Sequence, residues 1–259
     1  KENPELAINE QKAREREYLM KLYESNGGEN WKDKTNWGSD EPLSKWFGII
    51  TNEKGFVKAI SLTNNNVIGE IPEGLSELKH LESFDLCYNK MTGSIPAELG
   101  QIENLDLLYL GGNNFTGTIP SELGNLEKLV YLDLDNNSLS GEIPSSLGNL
   151  KSLYRLSLFN NKLTGNIPSS IGNLTKMGHL YLYNNLLEGS IPAELGNLSQ
   201  LECVVIWGNK LSGKVPESVM KAPWWEDNWH LILNQDGYGI SEEGINIYIP
   251  EFSVKTLKG

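Results

Sequence analysis

The sequence predicts a solenoid, in which the chain winds through successive similar coils around one continuous apolar core. Three observations predict it. A unit of 24 residues recurs seven times between Val57 and Trp224. No insertion or deletion breaks its register. Each unit also repeats three residues that are not core aliphatics: asparagine in the ninth place (Asn65, Asn89, Asn113, Asn137, Asn161, Asn185, Asn209), glycine in the thirteenth (Gly69 to Gly213) and proline in the sixteenth (Pro72 to Pro216). A fixed period of this length marks stacked supersecondary units, each unable to close a core alone.

The units, called coils one to seven below, begin at Val57, Leu81, Leu105, Leu129, Leu153, Met177 and Leu201. Apolar residues at places one, four, six, eleven, fifteen and nineteen are expected to point inward. Burying six such side chains at roughly 1.5–3 kcal/mol each does not offset ordering a whole unit at about 1–2 kcal/mol per residue, so neighbouring coils must supply the rest. An inward asparagine both donates and accepts, which predicts an internal ladder satisfying backbone groups where the chain leaves each strand. The glycine suits a tight bend, and the proline keeps the return segment out of a regular ladder or helix.

The words Met91-Thr92-Gly93-Ser94-Ile95-Pro96 and Leu163-Thr164-Gly165-Asn166-Ile167-Pro168 resemble the plant-type leucine-rich repeat, and the resemblance covers about two-thirds of the chain. It implies an α/β fold: a right-handed solenoid curved like a horseshoe, with a concave parallel β-sheet, a helical N-terminal cap, and short strands, turns and 3-10 segments on the convex side. Plant receptor-kinase ectodomains and polygalacturonase-inhibiting proteins share the repeat, so the resemblance implies recognition and not catalysis.

Four segments follow. Residues 1–56 are expected to form the N-terminal cap. In it Leu19, Leu22 and Tyr23 fall at helical spacing within Glu10 to Ser25, and Trp31, Trp37, Trp46 and Phe47 cover the apolar end of coil one. The repeats fill 57–224. A C-terminal cap is expected over 225–250, where Ile232 to Gly239 resembles the close of bacterial cell-surface proteins carrying these repeats. Residues 251–259 read as a tail or linker stub, with a faint resemblance to the opening of thioredoxin-like domains. Trp46-Phe47-Gly48-Ile49 keeps the aromatic-glycine core of the plant cap motif without its paired cysteines, and this too resembles the bacterial variety.

Composition narrows the partners. The net charge of −12, from 22 basic and 34 acidic side chains, disfavours nucleic acid and anionic membrane. No apolar run approaches the roughly 18 residues of a membrane span, so direct insertion is not expected. Cys87 and Cys203 lie five coils apart, about 24 Å at the usual strand spacing, too far for a disulfide. The four sequons at Asn114, Asn136, Asn173 and Asn197 arise from the repeat words themselves. The chain begins at lysine, which suggests a leader or anchor outside it, and the expected location is extracellular or at the cell surface.

Places three, five and seven of each concave strand point outward by the period-two rule, with place eight at the strand's exit. The candidate ligand-binding residues there are Tyr88, Tyr109, Tyr131, Asp133, Asp135, Arg155, Phe159, His179, Tyr181, Tyr183 and Trp207. Exposed aromatics mark interfaces and suit peptide, protein or sugar equally, while cross-strand stacking that only stabilises the sheet is the other reading. Asp133 and Asp135 share a strand and face, which fits a basic partner better than a metal, and no cofactor is implied. Neither a histidine cluster nor a GxSxG word is present, and two carboxylates on one strand cannot flank a scissile bond. The expectation is a monomeric, non-catalytic module that binds a protein, peptide or glycan through an aromatic and acidic concave face. A structural spacer presenting a further domain is the alternative.

Overall fold

In a computed structural model the repeats form a leucine-rich-repeat solenoid; the structure describes residues 4–232, 239–240 and 246–248. Each coil places a three- to five-residue strand in one eight-stranded sheet. Its members are Ile49–Thr51, Val57–Ser61, Ser83–Asp85, Leu107–Tyr109, Tyr131–Asp133, Arg155–Ser157, His179–Tyr181 and Cys203–Val205. From Val57–Ser61 onward the strands are parallel and in strict register, so that Leu108, Leu132, Leu156 and Leu180 stack as one fully buried column. The convex side carries short parallel pairs, such as Lys162–Thr164 on Ser140–Glu142, and 3-10 segments such as Ser145–Asn149.

The ninth-place asparagines form the expected ladder, bonding to backbone groups of their own and the preceding coil. Asn113 accepts the Met91 N–H on Oδ1 at 3.0 Å, and its Nδ2 donates to Leu86 and Leu110 carbonyls at 2.9 and 3.1 Å. Each side chain thereby ties its own coil to the preceding one. The ends are sealed by mimicry of this bond set. Asn65 exchanges hydrogen bonds with the Asp33 backbone in the N-terminal cap, and Asn228 beyond the last coil accepts from the Val204 N–H.

In coils two to six the proline stands at the N-terminal boundary of the convex 3-10 turn: the Pro144 carbonyl accepts the Leu147 N–H at 3.1 Å, and the ring's missing N–H costs nothing at a helix start. A second glycine stands in the twentieth place of coils two to six. A Cβ on Gly124 would lie 2.4 Å from the Ser146 carbonyl oxygen of the next coil, so bare backbone is what lets coils approach. The thirteenth-place glycine does supply a bend, as at Gly165 with φ 70°.

The N-terminal helix runs Pro4–Ser25, longer than the expected Glu10 start, because Pro4 and Glu5 suit a first turn. It buries Tyr18, Leu19, Leu22 and Tyr23. Trp31, Trp37 and Trp46 form a chain of ring contacts at 4.9 and 5.0 Å, and their indole N–H groups donate to the carbonyls of Asn26, Phe47 and Glu41. Ile49–Thr51 then pairs antiparallel with coil one, closing the sheet edge with a cap strand where only parallel strands were expected. The helix is pinned to the solenoid by Glu15, fully buried, whose Oε2 accepts the Val57 N–H at 2.7 Å. At the other end Asn246–Tyr248 pairs parallel with Gly213–Lys214 on the convex side. Residues 233–238, 241–245 and 249–250, read as part of the C-terminal cap, and 251–259, read as the tail, lie outside the described residues. Among the described residues no helix is long and apolar enough to cross a membrane.

Candidate functional site

Strict register turns the outward places into rows running along the solenoid, and side chains in a row meet across strands. On coils four and five the rows bring an acid and a base together. Arg155 donates from Nε to Asp133 Oδ1 at 3.0 Å and from Nη2 to Oδ2, while its guanidinium lies 5.0 and 5.8 Å from the ring centroids of Tyr131 and Tyr109. A planar guanidinium that pairs with a carboxylate while lying against rings is held rigidly. Burial raises the Asp133 carboxyl, and the Arg155 hydrogen bonds oppose that rise.

On coil six His179 is enclosed by hydroxyls. Tyr181 Oη lies 3.1 Å from Nδ1 and Tyr154 Oη 3.3 Å from Nε2, while Tyr154 donates to Glu202 at 3.0 Å. Tyr154 and Glu202 stand in the second place of their coils, just before the strand, and were absent from the candidate list. The signal available was a tyrosine interrupting a row that otherwise reads Lys58, Glu82, Asp106, Val130, Gly178, Glu202. Chain direction at the strand's entrance is set by the preceding turn, so strand alternation gave no reason to place it on the face.

Phe159, Tyr183 and Trp207 occupy the seventh place on coils five to seven. Their rings stack at 4.4 Å and 6°, then at 5.1 Å and 22°. Centroid separations near the strand spacing stand the rings on edge above the sheet, with their faces closed against each other. Trp207, 43% exposed, ends the stack.

Two expectations need correction. Asp135 is not free for a partner on the open face: it is buried, and it accepts from Ser157 Oγ at 3.0 Å and Asn136 Nδ2 at 2.8 Å. Ser157 and Val205 are likewise buried in spite of outward parity, because large neighbouring side chains roof the small ones. Asp133, expected to meet an outside base, already has one in Arg155.

The eighth place is governed by conformation. Asn64, Gly112, Asn136, Asn160, Asn184 and Gly208 there all adopt positive φ, as does Tyr88 at 55°. Asparagine and glycine tolerate that region, whereas a tyrosine in it is strained. Tyr88 is nevertheless the most open ring on the face, 64% exposed. Next to it Cys87 has its thiol pushed up to about 12, first by burial and then by Asp85, Asp135 and Asp133. Both cysteines are free.

A separate shallow groove of about 610 Å³ opens at the strand entrances, lined by Glu82, Asp106, Lys128, Val130, Tyr154 and Lys176 among others. Its mixed charges select no ligand class, and the aromatic face is the better site. Among the described residues no group of three or more His, Cys, Asp or Glu side chains is disposed to hold a metal.

Comparison with known proteins places this geometry in context. Residues 57–115 match the family described as leucine rich repeat, and residues 106–222 match leucine-rich repeat region. The chain is similar to a solved Pollen Receptor Kinase 3 at 31% identity and TM-score 0.63, covering 79% of this chain and 96% of that one. It is also similar to the ectodomain of the Arabidopsis receptor kinase HAESA, solved with a peptide hormone ligand, at 29% identity and TM-score 0.61 over 81% of this chain and 39% of that one. Over 52 residues, 20% of this chain, it is 40% identical to a probable leucine-rich repeat receptor-like protein kinase of Arabidopsis thaliana. The chain spans only 6% of that kinase's length.

Proposed function

The chain belongs to the leucine-rich repeat family, and from that premise we propose that it is a non-catalytic recognition module outside the cell whose concave aromatic face binds a peptide or protein. One observation carries this reading. Coils three to seven present two runs of touching rings on the sheet, Tyr109 to Tyr181 through Tyr131, Tyr154 and His179, and Phe159 to Trp207 through Tyr183, which the fold does not require, since coil one has Ser61 and Thr63 in the same rows. The HAESA ectodomain, similar over most of this chain, was solved with a peptide hormone, which supports the same class of ligand.

Ring geometry favours peptide over glycan. A sugar ring docks on an open aromatic face, but both faces of Tyr183 and one face each of Phe159 and Trp207 are taken up by stacking. Ring edges remain, which suit side-chain and backbone contacts of a peptide. The cap closed by tryptophans and free of cysteine supports the bacterial cell-surface variety of the repeat, although the matched kinases named above with an organism are from Arabidopsis.

The test is capture on arrays of peptides, proteins and glycans by the chain and by its Tyr181→Ala/Tyr183→Ala/Trp207→Ala variant. Peptide or protein capture that the variant loses is expected. Glycan capture alone, or capture indifferent to the variant, overturns the reading, and the second result would leave a spacer.

A further inference from the structure

Every hydrogen bond around His179 has a forced direction. The Tyr154 hydroxyl donates to Glu202 Oε1 at 3.0 Å, and a carboxylate can only accept. That bond, ahead of burial, raises the Tyr154 hydroxyl, so the phenol keeps its single hydrogen. With the hydrogen spent on Glu202, the 3.3 Å contact between Tyr154 Oη and Nε2 requires the imidazole to donate from Nε2. A neutral imidazole carries one N–H, so Nδ1 is an acceptor, and the hydrogen in its 3.1 Å contact comes from Tyr181. Tyr181, pushed up to about 12 first by burial and then by Cys203, is likewise a protonated phenol, and it shares a further hydrogen bond with the Cys203 thiol. The neutral cluster therefore turns the Tyr181 hydrogen toward His179. None is left for a ligand.

Protonation reverses one of these bonds. With a hydrogen on Nδ1 as well, the ring can only donate, and the Tyr181 hydroxyl must turn its own hydrogen away. Sulfur is a weak acceptor, so Cys203 does not hold that hydrogen against an oxygen of a bound molecule. The groups facing the ring are Tyr154 and Arg155 from coil five, Tyr181 on its own strand, and Glu202 and Cys203 from coil seven. Arg155 is in register with His179, but its guanidinium is engaged by Asp133. Glu202 Oε2, 3.8 Å from Nε2, balances a positive charge on the ring. His179 and Tyr181 are both half-buried, so the reversed hydroxyl can be reached from the open face.

Resting on the peptide-recognition reading above, we propose that His179 is a specificity-determining residue of the concave face: its protonation releases the Tyr181 hydroxyl to donate to an oxygen acceptor of the bound peptide. Neutral His179 leaves coil six without that donor, and the same peptide binds more weakly. Binding is then coupled to uptake of a proton from solvent, and by linkage the bound peptide favours the imidazolium. Histidine is the side chain that ordinarily changes charge between pH 5 and 8, which puts the effect within reach of mild acidification.

The experiment has one arm without ligand and one with it. Long-range nitrogen–proton NMR of the histidine rings, assigned with His179→Gln, should show the Nε2–H tautomer of His179 at about pH 8. The Nδ1–H tautomer overturns the inference. In the second arm a random dodecapeptide phage library is selected on the whole chain at about pH 5.5, and a selected synthetic peptide is measured at about pH 5.5 and 7.5. Affinity should fall about tenfold at the higher pH, the difference made by a charge-assisted hydrogen bond. His179→Gln and Tyr181→Phe, with thermal unfolding checked for each, should both remove the pH response, the second with its ring retained. A response that survives either variant, or a peptide whose affinity ignores pH, overturns this inference. If that peptide is still lost on Tyr183→Ala/Trp207→Ala, peptide recognition stands without it. A library that yields no binder overturns both.

Discussion

Glu15 of the N-terminal helix and His80 at the end of coil one face each other across the junction between cap and solenoid, Oε1 4.0 Å from Nδ1, and neither atom has a hydrogen-bond partner. Phe56 covers the imidazole at 4.3 Å with parallel rings. Burial raises the Glu15 carboxyl, against the pull of the Val57 N–H, Gln11 and Lys12. A carboxyl raised on folding contributes stability that is complete below its unfolded value, about 4.3, and is lost as pH climbs through the folded value. The Glu15→Gln variant keeps the acceptor for Val57 and has no such loss. Melting temperatures from pH 4 to 8 should therefore fall more steeply for the wild-type chain than for Glu15→Gln; parallel curves would refute the assignment. Glu15→Ala, which orphans the Val57 N–H, should cost about 1–3 kcal/mol.

The asparagine ladder predicts a larger loss inside a coil. Asn137 donates to the carbonyls of Leu110, Leu134 and Asp135, each at 3.1 Å, and accepts the Phe115 N–H at 3.0 Å. Asn137→Ala unpairs several part-buried backbone groups at once, and roughly 3 kcal/mol should disappear in urea unfolding. A loss under 1 kcal/mol would mean that water replaces the amide.

Gly124 and Gly117 test two different reasons for the same residue type. An alanine at Gly124 meets the Ser146 carbonyl at 2.4 Å, so two coils must part. At Gly117 the nearest atom is 3.6 Å away and only the φ of 76° is unfavourable. Gly124→Ala should destabilise by more than about 2 kcal/mol and Gly117→Ala by about 1–2 kcal/mol. Equal effects would show that conformation, not coil spacing, dominates both.

Tyr88→Asn exchanges a strained residue for the one that three later coils carry at the same place, Asn136, Asn160 and Asn184. Relief of the left-handed strain should raise stability by about 1 kcal/mol, less whatever the exposed ring contributes over Gly112. The same change should weaken capture of any ligand that the concave face binds through its exposed rings. A variant that is both less stable and unaltered in binding would remove the reason for a tyrosine there.

The fold was legible because its determinants are local and periodic: one place, one role, repeated seven times. Aliphatic columns, the asparagine ladder and the tryptophan cap all followed from residue type and spacing. What escaped was contact between units. The close approach at Gly124, the burial of Asp135 under its neighbours and the neutralisation of Asp133 by Arg155 depend on which side chain the next coil presents, 22 to 24 places on. The site was legible as rows but not as pairs. Alternation says which way a side chain leaves the sheet, and only the relative sizes of neighbours in a row decide whether it stays uncovered. Tyr88 stands between these cases, since the asparagine–glycine series at its place was visible while the left-handed backbone that selects it was not.

The strands are joined to one another along the long axis of the solenoid, one coil bonded only to the coils before and after it. A force drawn between the two ends therefore opens one junction at a time, like a zipper, instead of shearing many bonds together. Each 24-residue unit released would add about 80 Å of slack at the reach of an extended chain. Anchored at one end and loaded at the face, such a domain would behave as a stepwise extensible leash, yielding length before it yields its remaining coils.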